Sequence, residues 1–293
     1  MNDRVAILGA SGQLGTALRA EYADVAVCAP SHAELDFSDT PALEAFLERE
    51  RVGTLINCTA FHNVDECERR PERAFELNTL AVDRAARAAK NAGAVFATIS
   101  TDYVFDGRAG HAYAETDATN PLSAYGVSKL AGEQLVARHG SEHFIFRTSG
   151  VYNASGKTSK GYVFVERVLQ QAERGEPVRV VDNMTFSPSF APHVAHTMRA
   201  AIEARAYGTH HVTNAGATTW FEFARTAFAL AGLQPDLQPL RYDQYESVVK
   251  RPLYSALRSV TLPAAGIALA PAWETGLREY IALRAKRLAS VPR

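Results

Sequence analysis

Short apolar runs alternate along the first half of the chain with stretches whose apolar residues recur every three to four positions. Val5 to Leu8, Val25 to Cys28, Thr54 to Cys58, Val95 to Ile99 and Phe144 to Phe146 have the length and the β-branched or aromatic content of buried strands. The stretches between them read as helices. One spans about Gln13 to Tyr22, and Ser38-Asp39-Thr40-Pro41 is a capped start leading into Leu43, Phe46 and Leu47 on one face. Pro71 opens a long Ala-rich helix to about Asn91, which Gly93 stops, and Asn120-Pro121-Leu122-Ser123 opens another that ends near His139-Gly140. Strands without a polar face, separated by helices, predict an α/β fold with a Rossmann-type doubly wound parallel sheet.

After Arg147 the rhythm changes. A polar Gly/Ser/Lys-rich loop from Asn153 to Gly161 is expected to be mobile and to cover substrate. Helices near Tyr162 to Arg174 and Ala191 to Ala204, and strands near Val178 to Val181 and Thr209 to Thr213, follow it. Trp220 begins a helix whose apolar face includes Phe223, Ala227 and Leu230, and Trp273 to Leu288 closes the chain as an amphipathic helix.

The first strand runs straight into Gly9-Ala10-Ser11-Gly12-Gln13-Leu14-Gly15. Strand, glycines, then helix is the order a dinucleotide requires. Gly9 allows the tight turn, Gly12 lets the backbone approach a pyrophosphate, Gly15 lets the helix pack on the strand, and the phosphates face free N–H groups at the helix start. Further along, Tyr125 and Lys129 stand four apart on one helix face, so phenol and ammonium are stacked. The ammonium is expected to lower the phenol's pKa and make Tyr125 a proton donor to an oxygen that receives a hydride. Thr101, after the fourth strand, adds a hydroxyl to the same crevice. The organisation expected is a dinucleotide-binding domain over 1–150, with returning segments near 177–182 and 190–214, and a smaller C-terminal substrate lobe over 151–176 and 215–293.

A chain of 293 residues is long enough for both parts, and its net charge of −1 without a Lys/Arg block argues against a nucleic-acid partner. Cys28, Cys58 and Cys67 are odd in number, which fits reduced thiols and a cytoplasmic location. No leader or anchor is expected ahead of the first strand, no run approaches membrane-spanning length, and the pairs His193 with His196 and His210 with His211 lack a third ligand, so no metal and no membrane are expected.

The run Ser100-Thr101-Asp102-Tyr103-Val104-Phe105-Asp106-Gly107, then Glu115-Thr116-Asp117, then Pro121 to Glu133 around Tyr125 and Lys129, carries a resemblance, as do Arg147-Thr148-Ser149, His211 to Gly216 and Arg251-Pro252 followed by Leu257. Over nearly its full length the chain resembles the extended short-chain dehydrogenase/reductase family, in its dTDP-4-dehydrorhamnose reductase branch. That resemblance implies reduction of a nucleotide-linked 4-keto-6-deoxyhexose, with a dTDP-linked sugar as substrate and hydride delivered to C4 from NADPH or NADH. It implies that Tyr125 protonates the C4 oxygen, Lys129 holds the nicotinamide ribose, and Thr101 hydrogen-bonds the carbonyl oxygen. Gly12, Gln13 and Leu14 fall at the pyrophosphate, Asp36 and Phe37 near the adenosine end, Ala60, Phe61 and His62 along the middle of the cofactor, and Asp102 beside the substrate. A homodimer is the candidate assembly.

Two departures from the family pattern touch the sugar side. A Trp often follows Arg-Thr-Ser in rhamnose-pathway members, and here Gly150 stands in its place, so an aromatic wall is expected to be lost. The segment Asp182 to Ser189 also differs. On the cofactor side, Asp36 lies at the distance of an acid on the adenosine ribose and favours NAD, whereas Ala29-Pro30-Ser31-His32 contains no acid and tolerates a 2′-phosphate; both cofactors are expected to work, with a preference for NADPH. Two other readings share these motifs: a non-catalytic NADP-binding subunit like the regulatory subunit of methionine adenosyltransferase, and an epimerase or dehydratase of the same superfamily. The dehydratase reading expects an acid after Asp102, where this chain has Tyr103.

Overall fold

The computed structural model describes residues 4–156, 163–244 and 247–290. The chain begins with β1 (Arg4–Leu8), α1 (Gln13–Glu21), β2 (Val27–Cys28), α2 (Thr40–Glu50) and β3 (Val52–Asn57). Three helices follow, α3 (Val64–Arg69), α4 (Pro71–Phe75) and α5 (Ala81–Asn91), then β4 (Val95–Thr101), α6 (Ala124–Ala137) and β5 (His143–Thr148). Next come β6 (Val151–Tyr152), α7 (Phe164–Glu173), β7 (Val178–Val181), β8 (Thr185–Phe186), β9 (Ser189–Phe190), α8 (Ala191–Glu203) and β10 (Gly208–His211). The last elements are β11 (Asn214–Ala215), β12 (Thr218–Thr219), α9 (Trp220–Ala231), β13 (Leu237–Leu240), α10 (Thr261–Ala264), β14 (Ala270–Ala272) and α11 (Trp273–Ala289).

Six strands form one parallel sheet in the order β2-β1-β3-β4-β5-β10. Because successive side chains of a strand point to opposite faces, β1 feeds two cores. Val5 and Ile7 join Leu14, Leu18, Val194 and Met198 beneath α1 and α8; Ala6 and Leu8 join Leu43, Leu47, Val82 and Ala85 beneath α2 and α5. Each fully buried Leu, Ile or Met contributes roughly 1.5–3 kcal/mol, which is why neither face can carry a polar row. The doubly wound parallel sheet expected from the alternation is the sheet observed.

Three elements differ from expectation. Strand β2 is only two residues long, with Val25 outside it. The Ala-rich helix from Pro71 is broken by one π turn, Glu76–Leu80. There the buried Asn78 side chain accepts from Phe61 N at 2.8 Å and donates to Phe61 O at 2.9 Å and to Ser128 Oγ at 3.1 Å. That local bulge points a polar side chain at the loop after β3, which an unbroken apolar stripe would not do. Finally, Val178–Val181 does not return to the central sheet as expected of 177–182: β7 pairs in parallel with β13. Val178 and Val180 are buried while Arg179 is exposed, a one-faced strand that suits the edge of a second core and not a sheet covered on both sides. That core gathers Val165, Leu169, Phe186, Phe223, Leu277 and Tyr280. The start expected at Tyr162 and most of the Asn153 to Gly161 loop, residues 157–161, lie outside the described residues.

One buried ion pair joins α6 to the sheet. Arg147 donates from Nη2 to Glu133 Oε2 at 2.6 Å and from Nε to Oε1 at 3.0 Å, and Ser100 Oγ also donates to Glu133. Removing one partner of such a pair leaves an uncompensated buried charge, so Glu133→Ala is expected to cost about 3–5 kcal/mol in urea denaturation, and a loss below about 1 kcal/mol would mean the pair behaves like a surface one.

Candidate active site

The strand order reverses between β1 and β3, so the loops at their C-terminal ends diverge and leave a crevice there. Gly9 makes its turn with φ +73°, and a Cβ on it would lie 3.0 Å from the Cys58 carbonyl carbon. At Gly15 a Cβ would stand 2.3 Å from Gly9 O and 2.7 Å from Ala10 Cα, so only glycine lets α1 pack this closely. Gly12 caps α1 with no side-chain hydrogen bond, and the first turn holds no acid. The amides of Gln13 and Leu14 are therefore left to an anion, which fits a dinucleotide pyrophosphate. Leu14 is buried in the core below, and the Gln13 side-chain oxygen is buried without a partner among the described residues. Asn153 and Gly156 reach back to this turn. Asn153 Nδ2 donates to Gln13 O at 2.9 Å, and a Cβ on Gly156 would lie 2.7 Å from Gln13 Cα.

At the tip of β2 the acids are arranged differently from the sequence expectation. Asp36 accepts from Ser38 N at 2.9 Å and from Ser38 Oγ at 2.7 Å, so its carboxylate is tied into its own turn and held below the usual range. Phe37 is buried in the core with Leu8 and Leu43. Glu34, unremarked in the sequence, folds back to accept from Ser31 N at 2.7 Å. An acid thus does stand at the stretch that looked free of one.

After β3, Asn78 clamps the backbone of Phe61, whose ring lies under the Arg73 guanidinium at 5.5 Å. Ala60 and His62 flank it, with His62 Nδ1 3.3 Å from Ala60 O and the ring exposed. The same Asn78 reaches Ser128 on α6, and Thr79 Oγ1 donates to Ser128 O at 2.7 Å, so the cofactor-side loop and the helix of Tyr125 are held by one turn of chain.

Thr101, Asp102 and Tyr125 meet where β4 ends and α6 begins. The Ser123 hydroxyl caps α6 by accepting from Gly126 N, which places Tyr125 in the first turn. Its phenol is influenced by the Thr101 hydroxyl, and its ring meets Tyr103 edge-on at 6.0 Å. The expected acidification by Lys129 is not found. Burial raises the Tyr125 pKa, the Thr101 hydrogen bond offsets this in part, and the Asp102 charge adds to the rise. A phenolate in a dry site loses more hydration than a neighbour four residues away restores. Lys129, 5 % exposed, is itself pushed down to about 8 by burial, against the opposing charges of Glu133, Cys58 and Cys67. Asp102 lies beside Thr101 in this cluster. It is 5 % exposed, and its two oxygens accept from Thr101, Ser149 and Ser255.

Gly150, at φ +51°, follows this cluster, and the space a side chain there would fill is taken. A Cβ would lie 2.4 Å from two atoms of the Phe186 ring. Phe186, 3 % exposed, stacks on Trp220 with centroids 3.8 Å apart and planes 6° from parallel. The space beside Gly150 is thus filled by an aromatic stack from β8 and α9. Both departures from the family pattern, at Gly150 and in Asp182 to Ser189, thus meet in one contact. Nothing in the spacing of Ser149, Phe186, Trp220 and Ser255 along the chain foretold these meetings. Asn78 did leave a signal, since an Asn inside an Ala-rich helix is unfavourable unless its side chain is used elsewhere.

Among the described residues no three His, Cys, Asp or Glu side chains form a metal cluster, and no helix is long and apolar enough to cross a membrane. The family model described as the RmlD substrate binding domain matches residues 3–285. The dTDP-4-dehydrorhamnose reductase of Mycobacterium tuberculosis is 35% identical over 289 residues, covering 96% of this chain and 93% of that one. The dTDP-4-keto-6-deoxy-D-glucose reductase of Streptomyces niveus is 31% identical over 287 residues, covering 97% and 98%. The solved dTDP-4-dehydrorhamnose reductase from Bacillus anthracis, in complex with NADP, superposes with a TM-score of 0.91 at 31% identity, covering 96% of this chain and 99% of that one.

Two outcomes follow from the geometry at the two ends of the crevice. A carboxylate at the β2 tip repels a 2′-phosphate, so Glu34→Gln is expected to lower KM for NADPH several-fold relative to NADH in steady-state kinetics; an unchanged ratio would place Glu34 away from the ribose. Gly150→Ala is expected to cost about 1–3 kcal/mol by overpacking against Phe186, and Phe186→Ala in the same chain should return part of that loss, a coupling that thermal denaturation of the four variants measures.

Proposed function

The chain belongs to the dTDP-4-dehydrorhamnose reductase family of extended short-chain dehydrogenases/reductases, and we propose that it reduces the C4 keto group of a nucleotide-linked 4-keto-6-deoxyhexose, most simply a dTDP-linked one. The observation that carries this reading is the meeting of Tyr125 and Thr101 at the same edge of the sheet as the uncapped start of α1. Nicotinamide, when bound, supplies the hydride. The rest is the work of the protein's own side chains.

The amides of Gln13 and Leu14 at the Gly12 turn hold the pyrophosphate, with Gly9 and Gly15 keeping the turn close to its helix. Glu34 and Asp36 stand at the adenosine end, while Ala60, Phe61 and His62 line the middle. Among the described residues, Lys129 is influenced by its neighbours through charge and not through a side-chain hydrogen bond. Its ammonium donors are therefore available to the ribose hydroxyls. Its fall to about 8 leaves it mostly charged at neutral pH.

Tyr125 delivers the proton. Because burial raises its pKa, the phenol stays protonated across the physiological range and gives up its proton only as negative charge builds on the C4 oxygen. This is general-acid work by a group held in place, without prior ionisation. Thr101 is the second hydroxyl at that oxygen, and the Phe186–Trp220 stack beside Gly150 borders the sugar. We assign 1–150 with 190–214 to the dinucleotide and the core around Phe223 to the sugar nucleotide. The three free thiols, two of them raised by burial to about 11 and about 12, suit a cytoplasmic enzyme.

Tyr125→Phe keeps the ring and removes the proton, so kcat with a panel of dTDP- and UDP-linked 4-keto sugars is expected to fall about 10²- to 10⁴-fold while NADPH still binds by fluorescence titration; full turnover in that variant would remove Tyr125 as the donor.

A further inference from the structure

The start of α1 presents its amides to an anion, and each of those amides belongs to a peptide group whose carbonyl lies on the other side. The N–H of Leu14 shares a peptide plane with the C=O of Gln13, and the N–H of Gln13 shares one with the C=O of Gly12. A group that touches those carbonyls therefore acts on the anion site from behind. Both are met by one short stretch, residues 153–156, which follows β6. Asn153 Nδ2 donates to Gln13 O at 2.9 Å, and a Cβ on Gly156 would lie 2.7 Å from Gly12 O. Gly156 has φ +95°, so its conformation and its clearance both call for glycine.

This stretch is held from the second core. Its leading residue follows Tyr152, whose ring packs on Phe190, Phe223 and Tyr280. Asn153 is 6 % exposed, and its Oδ1 lies 3.5 Å from Ser155 N, which leaves the donor end of the amide for the Gln13 carbonyl. One residue on, Arg287 in the last turn of α11 donates from Nη1 to Ala154 O at 2.7 Å and pairs through Nη2 with Glu166 of α7 at 3.2 Å. Glu166 also accepts from Tyr280 Oη at 2.7 Å and from Arg284 Nε at 3.0 Å. The closing helix thus reaches the glycine turn through a single backbone carbonyl.

We propose that Asn153 is a positioning residue for the dinucleotide: by donating to Gln13 O it fixes the Gln13–Leu14 peptide plane and strengthens the Leu14 N–H as a donor to the pyrophosphate, with Arg287 holding the stretch in place. The proposal rests on the reading of the Gly12 turn as the pyrophosphate site. A hydrogen bond accepted by a carbonyl polarises its peptide group, and successive bonds in such a chain strengthen one another by roughly 10–30 %. Asn153 carries no charge, so its effect on the anion comes through orientation and polarisation of that one peptide. The lobe assigned to the sugar nucleotide in this way also tunes the grip on the cofactor.

Asn153→Ala removes the donor and leaves the glycine turn intact. Its Kd for NADPH in fluorescence titration is expected to rise roughly 2- to 10-fold, the worth of one hydrogen bond, and by a similar factor for NADH and for inorganic pyrophosphate used as a competitor. Adenosine 2′-phosphate, which has no diphosphate, should keep its affinity. Arg287→Ala, at a half-exposed side chain, is expected to give a smaller rise of the same pattern, and Arg287→Lys, which retains a donor for Ala154 O, to restore most of it.

The direct readout is magnetic resonance of the ligand-free protein, isotope-labelled at Gln carbonyl carbons and Leu nitrogens. The chain has two Gln-Leu pairs, Gln13-Leu14 and Gln134-Leu135, and the second, within α6, serves as the internal reference for folding. In Asn153→Ala the Gln13–Leu14 signal is expected to move to lower frequency in both dimensions while the reference stays in place. An unmoved Gln13–Leu14 signal would overturn the proposal, as would unchanged NADPH affinity or an equal loss for adenosine 2′-phosphate. A wild-type protein that binds neither NADPH nor pyrophosphate would instead overturn the reading of the Gly12 turn, and the resonance measurement, which needs no ligand, tells the two failures apart.

Discussion

A polar group taken out of water must find a partner in the protein, and that constraint is concentrated at the C-terminal ends of β3, β4 and β5. Asn57, Thr98, Ser100, Thr101, Asp102, Thr148 and Ser149 are all buried there, in a sheet whose buried side chains are otherwise mostly apolar. Each leftover donor or acceptor in such a place costs about 1–3 kcal/mol; among the described residues Asn57 Nδ2, Thr98 Oγ1 and Thr148 Oγ1 remain without a partner, while the other groups are met by surrounding elements. Glu133 answers Arg147 and Ser100, Asn78 answers the backbone of Phe61, and Ser255 crosses from the far end of the chain to answer Asp102. The site is therefore joined to the stability of the whole molecule.

The same dryness sets the proton chemistry. Tyr125 and Asp102 are raised and Lys129 is lowered, and in all three the loss of hydration is the leading cause. Stacking a phenol and an ammonium four residues apart on a helix suggests attraction between charges, yet in a buried cleft the penalty on either charge alone is larger. A phenol that keeps its proton until an oxyanion forms suits the last step of a carbonyl reduction better than one already ionised. Family membership and site geometry point to the same reaction without requiring that Lys129 act on Tyr125 directly.

Much of the architecture was legible because its cause is local or periodic. Apolar runs without a polar face mark strands covered on both sides, and the glycines of the first turn announce a close approach that Gly15 bears out at 2.3 Å. The π turn at Asn78, the fold-back of Glu34 onto Ser31 and the pairing of β7 with β13 were not read. The first two depend on which backbone groups happen to lie opposite. The third was written in the Val-Arg-Val alternation of a one-faced strand, although its partner lay far along the chain.

The residues alone determined the α/β architecture and the glycine turn and marked Thr101, Tyr125 and Lys129 as candidates, because these rest on spacing along a strand or helix and on the side chain's own chemistry. Only the tertiary structure decided that Phe186 and Trp220 take the space beside Gly150, that Ser149 and Ser255 share one carboxylate oxygen, and that burial and not a neighbouring charge governs Tyr125. The physical reason is separation along the chain: Ser255 lies 153 residues from Asp102, and no periodicity encodes which distant hydroxyl will be brought into a dry pocket or how much water that pocket will exclude.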